Sequence, residues 1–264
     1  MIQFDFENKL VLVLASSKGI GFELAKQFII NNARVAICSR NQKNLNKAIK
    51  ELKKFASSDD QIKLFKVDLS NYKQAINLHK KVNNAFKSKI DILINNSGGP
   101  TPKKSIKTTK NDWDYTLKNN LQSFIHISLQ VLKGMKQKKW GRIINLTSST
   151  AKEPAENMVL SNVSRAGVLA FAKTLSKEIK MKDITINSIL TGAVLTDRLI
   201  QLIKKNNGNK INTVIKRISN TIPVKHIAST KEFVNLVLFL CSDEASYVNG
   251  SAISLDGGTS KTIF

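Results

Sequence analysis

Short apolar segments of strand length alternate with longer, helix-like segments along the chain. The apolar segments span residues 9–15, 34–39, 62–68, 91–97, 141–148, 184–190 and 251–256, and the helix-like ones span 21–31, 42–56, 71–86, 111–138, 159–181 and 230–241. Strands without a polar face are typical of a parallel sheet that helices cover on both sides. Because crossovers between parallel strands are right-handed, the pattern predicts an α/β fold with a doubly wound, seven-stranded parallel sheet in a single domain over residues 1–264.

Residues 195–229 interrupt this alternation. They follow the sixth apolar segment and contain the amphipathic stretch TDRLIQLIKKNNG and a second helix-like stretch. Insertions at the carboxyl edge of such a sheet commonly cover a substrate. We therefore expect a small helical substrate lid within the domain. The alternative is a surface helix pair that takes no part in binding.

The formal net charge of +23 raises the question of a nucleic-acid partner. Only six of the 42 basic residues are arginines, and the lysines are spread along the whole chain. No aromatic side chains are interleaved with them as in proteins that bind single strands. We therefore expect no nucleic-acid partner. The charge suits a small-molecule substrate that is anionic or bound to an acidic carrier, because the field would raise its encounter rate.

The apolar segments are too short for a membrane span, which needs roughly 20 residues. The first residues, MIQFDFENK, lack the charged and apolar regions of a signal peptide. The two cysteines, Cys38 and Cys241, lie in apolar segments and cannot form a disulfide framework. We therefore expect a cytoplasmic protein with no membrane partner, and we expect no metal site.

The first apolar segment runs into ASSKGIG, residues 15–21. A strand followed by a turn of small residues and a helix start exposes backbone N–H groups and the positive end of the helix dipole, which together bind a pyrophosphate. Gly19 and Gly21 let the backbone approach the ligand and let the helix pack on the strand. This position in an alternating α/β chain predicts a dinucleotide site.

Six segments in order resemble the short-chain dehydrogenase/reductase family. LASSKGIG matches the second half of its fingerprint T-G-x-x-x-G-x-G, and the others are DLS (68–70), NNSG (95–98), WDYTLKNNL (113–121), INLTSS (144–149) and YVNGSAISLDGG (247–258). The resemblance implies a Rossmann fold. Ala15 replaces the first glycine of the fingerprint. Because alanine disfavours a turn of positive φ, we expect a slightly different loop geometry.

The resemblance also implies a set of cofactor-binding residues. In the family these lie in the glycine loop, after the second, third and fourth strands, on the catalytic helix and after the sixth strand. In the last of these places TGAVLTD has Thr191 instead of the usual proline. The positions are Ser16, Lys18, Gly19, Ile20, Gly21, Arg40, Asp68, Leu69, Asn96, Gly98, Arg165, Gly192, Val194 and Thr196.

The charge after the second strand indicates which dinucleotide is bound. An NAD-specific site places a carboxylate there to accept the ribose hydroxyls. This chain has CSRN, with Arg40 and no acid, and Lys18 stands in the glycine loop. Two cations suit the 2′-phosphate of NADP, and arginine can bind it with two hydrogen bonds. We expect NADP(H) in preference to NAD(H), the alternative being two solvated cations.

The resemblance implies an oxidoreductase that transfers a hydride to or from a small carbonyl or alcohol, a 3-oxoacyl thioester being one candidate. Asn120 and Ser148 fall on the catalytic Asn and Ser of the family, but Ser161 and Arg165 stand where its Tyr and Lys are expected. A serine hydroxyl is a far poorer acid than a phenol. Arg165 keeps a positive charge that can bind the ribose.

The sequence leaves the proton donor open. One alternative is a titratable side chain in the loop after Ser148, and the other is Ser148 itself with water held by Ser161, Arg165 stabilising the developing alkoxide. The titratable candidates are Lys152, Glu153 and Glu156, with Asp112, Asp114 and His226 as more remote ones.

Two other functions also remain open. One is a catalytically silent dinucleotide-binding protein or partner subunit, and the other is a different reaction on the same scaffold, such as elimination or isomerisation. The segments 111–138 and 159–181 resemble those that pair subunits in the family, which implies a homodimer or homotetramer.

Overall fold

A computed structural model of the protein describes residues 4–207 and 210–263. The strands in this part of the chain are β1 (Leu10–Val13), β2 (Arg34–Ser39), β3 (Ile62–Lys66), β4 (Ile92–Asn95), β5 (Gly141–Leu146), β6 (Ile184–Thr191) and β7 (Ala252–Leu255). These seven parallel strands form one sheet in the order β3-β2-β1-β4-β5-β6-β7. The prediction of a doubly wound, seven-stranded sheet is confirmed.

Helices cover both faces of the sheet because successive strand residues point to opposite sides. The helices are α1 (Gly19–Ile30), α2 (Gln42–Leu52), α3 (Tyr72–Phe86), α4 (Lys110–Leu117), α5 (Ser123–Lys138), α6 (Val159–Ile179), α7 (Asp197–Asn207), α8 (Ile211–Thr221) and α9 (Thr230–Cys241). Val11 and Val13 pack in the cluster that includes α1, α2 and α9, whereas Leu10 and Leu12 pack in the cluster that includes α3, α5 and α6.

The predicted helix 111–138 is interrupted. A π-helical turn, Lys118–Gln122, separates α4 from α5 and contains the buried residues Asn119 and Asn120. Such turns insert one extra residue into a helix and are frequent at functional sites. The turn directs Asn120 toward the loop after β4, where its amide makes two hydrogen bonds.

The segment after β6 contains two helices, α7 and α8, as its amphipathic pattern predicts. They lie beyond the carboxyl end of β6, and residues of α7 line the large cavity at this edge of the sheet.

The described part of the chain contains no helix that is both long enough and apolar enough to span a bilayer. Cys38 and Cys241 are both buried in the core, and burial raises the pKa of the Cys38 thiol to about 12.

Candidate active site

The loop between β1 and α1 keeps a left-handed turn at Ala15, whose φ is 47°. The expectation that alanine would change this turn is therefore wrong. An L-residue takes such a conformation at a cost of about 1–2 kcal/mol. Contacts with β2 hold the loop in place: the Ser16 N–H donates to Cys38 O over 3.0 Å, and the Ser16 hydroxyl accepts from Cys38 N over 2.9 Å.

Ser16 therefore contributes to the site in a different way from the one expected. Its side chain is fully buried and its hydroxyl also donates to Val13 O over 2.7 Å, so it anchors the loop from below instead of facing a ligand. Gly21 also supports the loop from beneath, at the start of α1. A Cβ at Gly21 would lie 2.8 Å from both Ala15 O and Asn96 Nδ2, so only glycine lets α1 pack so closely under the loop.

A cavity of about 960 Å³ opens at the carboxyl ends of the strands. Its size falls within the range of roughly 300–1,000 Å³ that is typical of small-molecule sites. Nine of the predicted cofactor-binding residues line it, namely Lys18, Gly19, Ile20, Arg40, Asp68, Leu69, Asn96, Gly98 and Thr196.

Two other predicted residues support the wall without lining this cavity. A Cβ at Gly192 would lie 2.6 Å from Asp256 Cα, so this glycine allows β6 and the segment after β7 to approach closely. Val194 is buried and forms an isolated parallel bridge with Ala228.

The rim of the cavity at the end of β2 is cationic. Arg40 Nη1 donates to Tyr115 Oη over 2.6 Å, and both side chains line the cavity together with Lys18. In the described part of the chain neither Arg40 nor Lys18 forms an ion pair with a carboxylate. Tyr115 belongs to α4 and was not predicted, because the sequence does not show that α4 crosses the cavity opposite β2.

Asn120 and Arg165 meet at one hydroxyl group. Asn120 Nδ2 donates to Ser97 Oγ over 2.9 Å and to Gly98 O over 3.0 Å. Arg165 Nη2 donates to the same Ser97 Oγ over 3.4 Å, and its Nη1 donates to Leu146 O over 2.9 Å. The sequence contained a signal for this contact, since serine replaces the alanine of the family motif N-N-A-G at position 97 and arginine replaces lysine at 165.

Arg165 lies beneath the cavity, with 5% of its surface exposed, and it does not line the wall. Burial, and to a lesser degree the positive charge of Arg198, lowers the pKa of Arg165 to about 10. The side chain is therefore cationic at neutral pH. In the described residues it contacts no carboxylate, and its guanidinium lies 5.6 Å from the centre of the Phe124 ring.

Ser148 and Ser161 are joined through a third hydroxyl, that of Thr150. Thr150 Oγ1 donates to Ser148 Oγ over 3.1 Å and lies 3.5 Å from Ser161 Oγ. The Thr150 N–H also donates to Ser148 Oγ, over 3.3 Å. Thr150 was not predicted, because its importance comes from the short helical turn Ser149–Ala151 that folds it back between the two serines.

Two of the three titratable side chains of this loop, those of Lys152 and Glu153, have other partners. Glu153 Oε2 accepts from Lys261 N over 2.9 Å and from Ser260 Oγ over 3.0 Å, and these bonds lower the pKa of Glu153. Lys152 Nζ donates to Ala252 O over 3.4 Å. These contacts direct both side chains toward β7 and the residues that follow it.

The more remote candidates are also engaged. Asp112 caps α4 and pairs with Lys103 over 2.6 Å, which lowers its pKa to about 2. His226 pairs with Glu232 over 2.8 Å, an exposed contact at the start of α9 that raises the pKa of the imidazole. Among the residues that the structure describes, no group of three or more His, Cys, Asp or Glu side chains is placed to hold a metal ion.

Comparison with known proteins shows which proteins the chain resembles. The family described as Enoyl-(Acyl carrier protein) reductase matches residues 14–260. The chain is 29% identical to the NADPH-dependent reductase BacG of Bacillus subtilis, over 97% of this chain and 99% of that protein. It is 26% identical to the 3-oxoacyl-[acyl-carrier-protein] reductase FabG of Aquifex aeolicus, again over 97% and 99%.

A solved structure shows the same fold over the full length. The L-sorbose reductase of Gluconobacter frateurii, solved with NADPH and L-sorbose, superposes with a TM-score of 0.92 at 27% identity, covering 99% of this chain and 100% of that one. Together with the family match over residues 14–260, this places the protein in a defined group of oxidoreductases. The chain belongs to the short-chain dehydrogenase/reductase family.

Proposed function

We propose that this protein is an NADP(H)-dependent reductase of small carbonyl compounds whose proton reaches the product through hydroxyl groups and water. The observation that carries the proposal is the cavity with Arg40 and Lys18 on its rim. Ser148 and Asn120 do not line this cavity, but they stand at the family's catalytic positions in the sequence. The oxidoreductase class follows from the family, and relatives named as NADPH-dependent reductases support the cofactor.

The residues present fit a dinucleotide with a 2′-phosphate. The left-handed Gly19, at φ 56°, and the close packing at Gly21 leave the loop backbone open toward the cavity. Asp68 and Leu69 would hold the adenine, and Arg40 with Lys18 would hold the 2′-phosphate. The bound nicotinamide would supply the hydride.

Ser148 would hold the carbonyl oxygen of the substrate by donating a hydrogen bond. Thr150 then connects Ser148 with Ser161, which gives a chain of three hydroxyls. None of the three is an acid at neutral pH, so the proton comes from water at the end of this chain. The buried charge of Arg165, one helical turn from Ser161, favours negative charge on the substrate oxygen before the proton arrives.

The contacts of two other candidates, Glu153 and Asp112, support this route. Glu153 is bound to the residues after β7, and the carboxyl of Asp112 has a pKa of about 2, so neither holds a proton at neutral pH. The relatives support a small carbonyl compound as the substrate, and a 3-oxoacyl thioester is one example of that class. Residues 195–229 would serve as the substrate lid, because α7 lines the cavity.

The expected setting is the cytoplasm, which the two unpaired, buried cysteines support. We expect a homodimer or homotetramer, since Leu129 on α5 and Val163 on α6 remain 39% and 47% exposed in the single chain. Light scattering coupled to gel filtration measures this state directly.

A dinucleotide-binding protein without turnover is the second candidate, and the absence of the tyrosine at position 161 favours it. Fluorescence titration with NADPH and NADH, followed by assays of NADPH oxidation with a panel of aldehydes, ketones and oxo acids, separates the two. We expect tighter binding of NADPH and oxidation by at least one carbonyl class. Binding without oxidation across the panel would support the silent protein, and no binding of either nucleotide would contradict both.

A further inference from the structure

Arg198 occupies a position in the cavity that the cofactor site does not explain. It lies in the first turn of α7 and reaches across to the loop after β4, where its Nη2 donates to Gly99 O over 2.7 Å and to Pro100 O over 3.3 Å. Gly98, Gly99 and Pro100 line the same cavity. The guanidinium therefore closes the gap between the lid segment and the β4 loop.

The glycine at position 99 makes this contact sterically feasible. A Cβ at Gly99 would lie 3.2 Å from Arg198 Nη2, and a Cβ at Gly98 would lie 3.7 Å from its Nη1. The two glycines thus provide a flat surface of backbone on which the planar guanidinium rests. The carbonyls that it contacts are neutral acceptors, and a guanidinium forms stronger hydrogen bonds with a carboxylate.

Arg198 has no anionic partner in the part of the chain that the structure describes. No carboxylate lies within ion-pair distance of it, and its neighbour Asp197, which lines the same cavity, does not pair with it. A second cation, Arg165, lies close enough for the charge of Arg198 to lower its pKa. Two guanidinium groups that pair with no carboxylate repel each other, and an anion bound directly to Arg198 would relieve the repulsion.

The position of the pair indicates where the anion would lie. Arg165 is anchored at Ser97 and Leu146, at the ends of β4 and β5, and Arg198 contacts the loop after β4. Lys18 and Arg40, by contrast, lie at the glycine loop and at the end of β2, where the cofactor's phosphates are expected. Arg198 therefore lines the reaction end of the cavity, with Arg165 buried beneath it.

We propose that Arg198 binds a carboxylate of the substrate, so that the protein acts on small oxo acids or the corresponding hydroxy acids. This inference rests on the proposed reductase function. Arg198 would exchange two backbone carbonyls for a bidentate carboxylate, which stays near the β4 loop while the carbonyl group lies at Ser148. Because the same residue belongs to α7, binding of the acid would also hold the lid segment over the cavity.

The test compares a small oxo acid with its methyl ester in the wild type, in Arg198→Gln, in Arg198→Lys and in the matched control Arg217→Gln. Arg217 is exposed on α8 and carries the same charge. For Arg198→Gln we expect kcat/KM for the acid to fall roughly 10- to 100-fold, the range for a lost hydrogen bond between charged groups, mainly through KM. The ester should change less than about threefold, and Arg198→Lys should recover part of the loss.

Three results would overturn the inference. Equal losses for acid and ester would assign Arg198 a structural role, and equal losses in Arg217→Gln would assign the effect to overall charge. A rise in the Kd of NADPH that matches the loss for the acid would assign Arg198 to the cofactor's diphosphate.

A readout without turnover separates this inference from the proposed reductase function. Calorimetric binding of the oxo acid to the protein saturated with NADP⁺ needs no hydride transfer. Binding that Arg198→Gln abolishes supports the anion site even if no carbonyl is reduced, whereas undetectable binding of any oxo acid to the wild type contradicts it.

Discussion

Replacing Arg40 with alanine removes the guanidinium that faces the cavity at the end of β2 and should weaken the binding of NADPH selectively. Arg40 is exposed and its Nη1 donates to Tyr115 Oη over 2.6 Å, which leaves its other nitrogens available to a phosphate. A hydrogen bond between charged groups contributes about 1.5–3 kcal/mol, and exposure favours the lower end of that range. At ~1.4 kcal/mol for each factor of ten, the Kd of NADPH should rise about 10- to 30-fold.

Fluorescence titration at fixed ionic strength measures this effect, because salt screens exposed charges. The Kd of NADH should change less than about twofold, since NADH lacks the 2′-phosphate. Lys43→Ala, which removes an exposed charge in the first turn of α2, serves as the matched control and should affect NADPH far less than Arg40→Ala. Equal weakening of NADPH and NADH in Arg40→Ala would refute the assignment of the 2′-phosphate site.

Three further results are expected. Ala15→Gly removes the left-handed backbone strain of about 1–2 kcal/mol but costs about 0.5–1 kcal/mol in chain entropy. The free energy of unfolding measured in urea should therefore rise by about 0.5–1 kcal/mol. A fall would contradict the assignment of strain to Ala15. Thr150→Val should slow NADPH oxidation about tenfold or more and leave the affinity for NADPH unchanged, whereas Thr150→Ser should oxidise NADPH at nearly the wild-type rate. An unchanged rate in Thr150→Val would exclude the hydroxyl chain. Because the hydrogen bond from Lys103 and the capping box at Thr109 lower the pKa of Asp112 to about 2, its contribution to stability is present above the ordinary Asp pKa and is lost as the pH falls toward about 2. Asp112→Asn should therefore destabilise the protein more near pH 6 than near pH 3, and a difference independent of pH would contradict the assignment.

The sheet and its order of elements were predictable because strands buried on both faces leave continuous apolar segments, and their alternation with helices permits few topologies. The interruption at Lys118–Gln122 was not, since a π-helical turn leaves the apolar pattern of the helix almost unchanged. The left-handed Ala15 was also missed. Contacts between the loop and β2 outweigh the intrinsic preference of alanine there.

The site was predictable where a residue matches a family motif by position. The contacts between motifs were not predictable. Ser97 joins Asn120 to Arg165 across three elements, and Arg198 contacts a carbonyl 99 residues away in the sequence. Such contacts depend on how the loops at the carboxyl edge fold over one another, and no local spacing indicates them.

The pH dependence of NADPH oxidation by the wild type, measured with the best carbonyl substrate and with Ser148→Ala as the control, tests the central claim most directly. A site whose proton comes from water through Ser148, Thr150 and Ser161 contains no donor that titrates near neutrality. The kcat should therefore stay level from about pH 6 to about pH 9. It should fall only as Arg165 loses its charge, at a pKa of about 10. NADPH that binds without being oxidised, or a kcat that follows an ionisation between about pH 6 and about pH 9, would contradict the account.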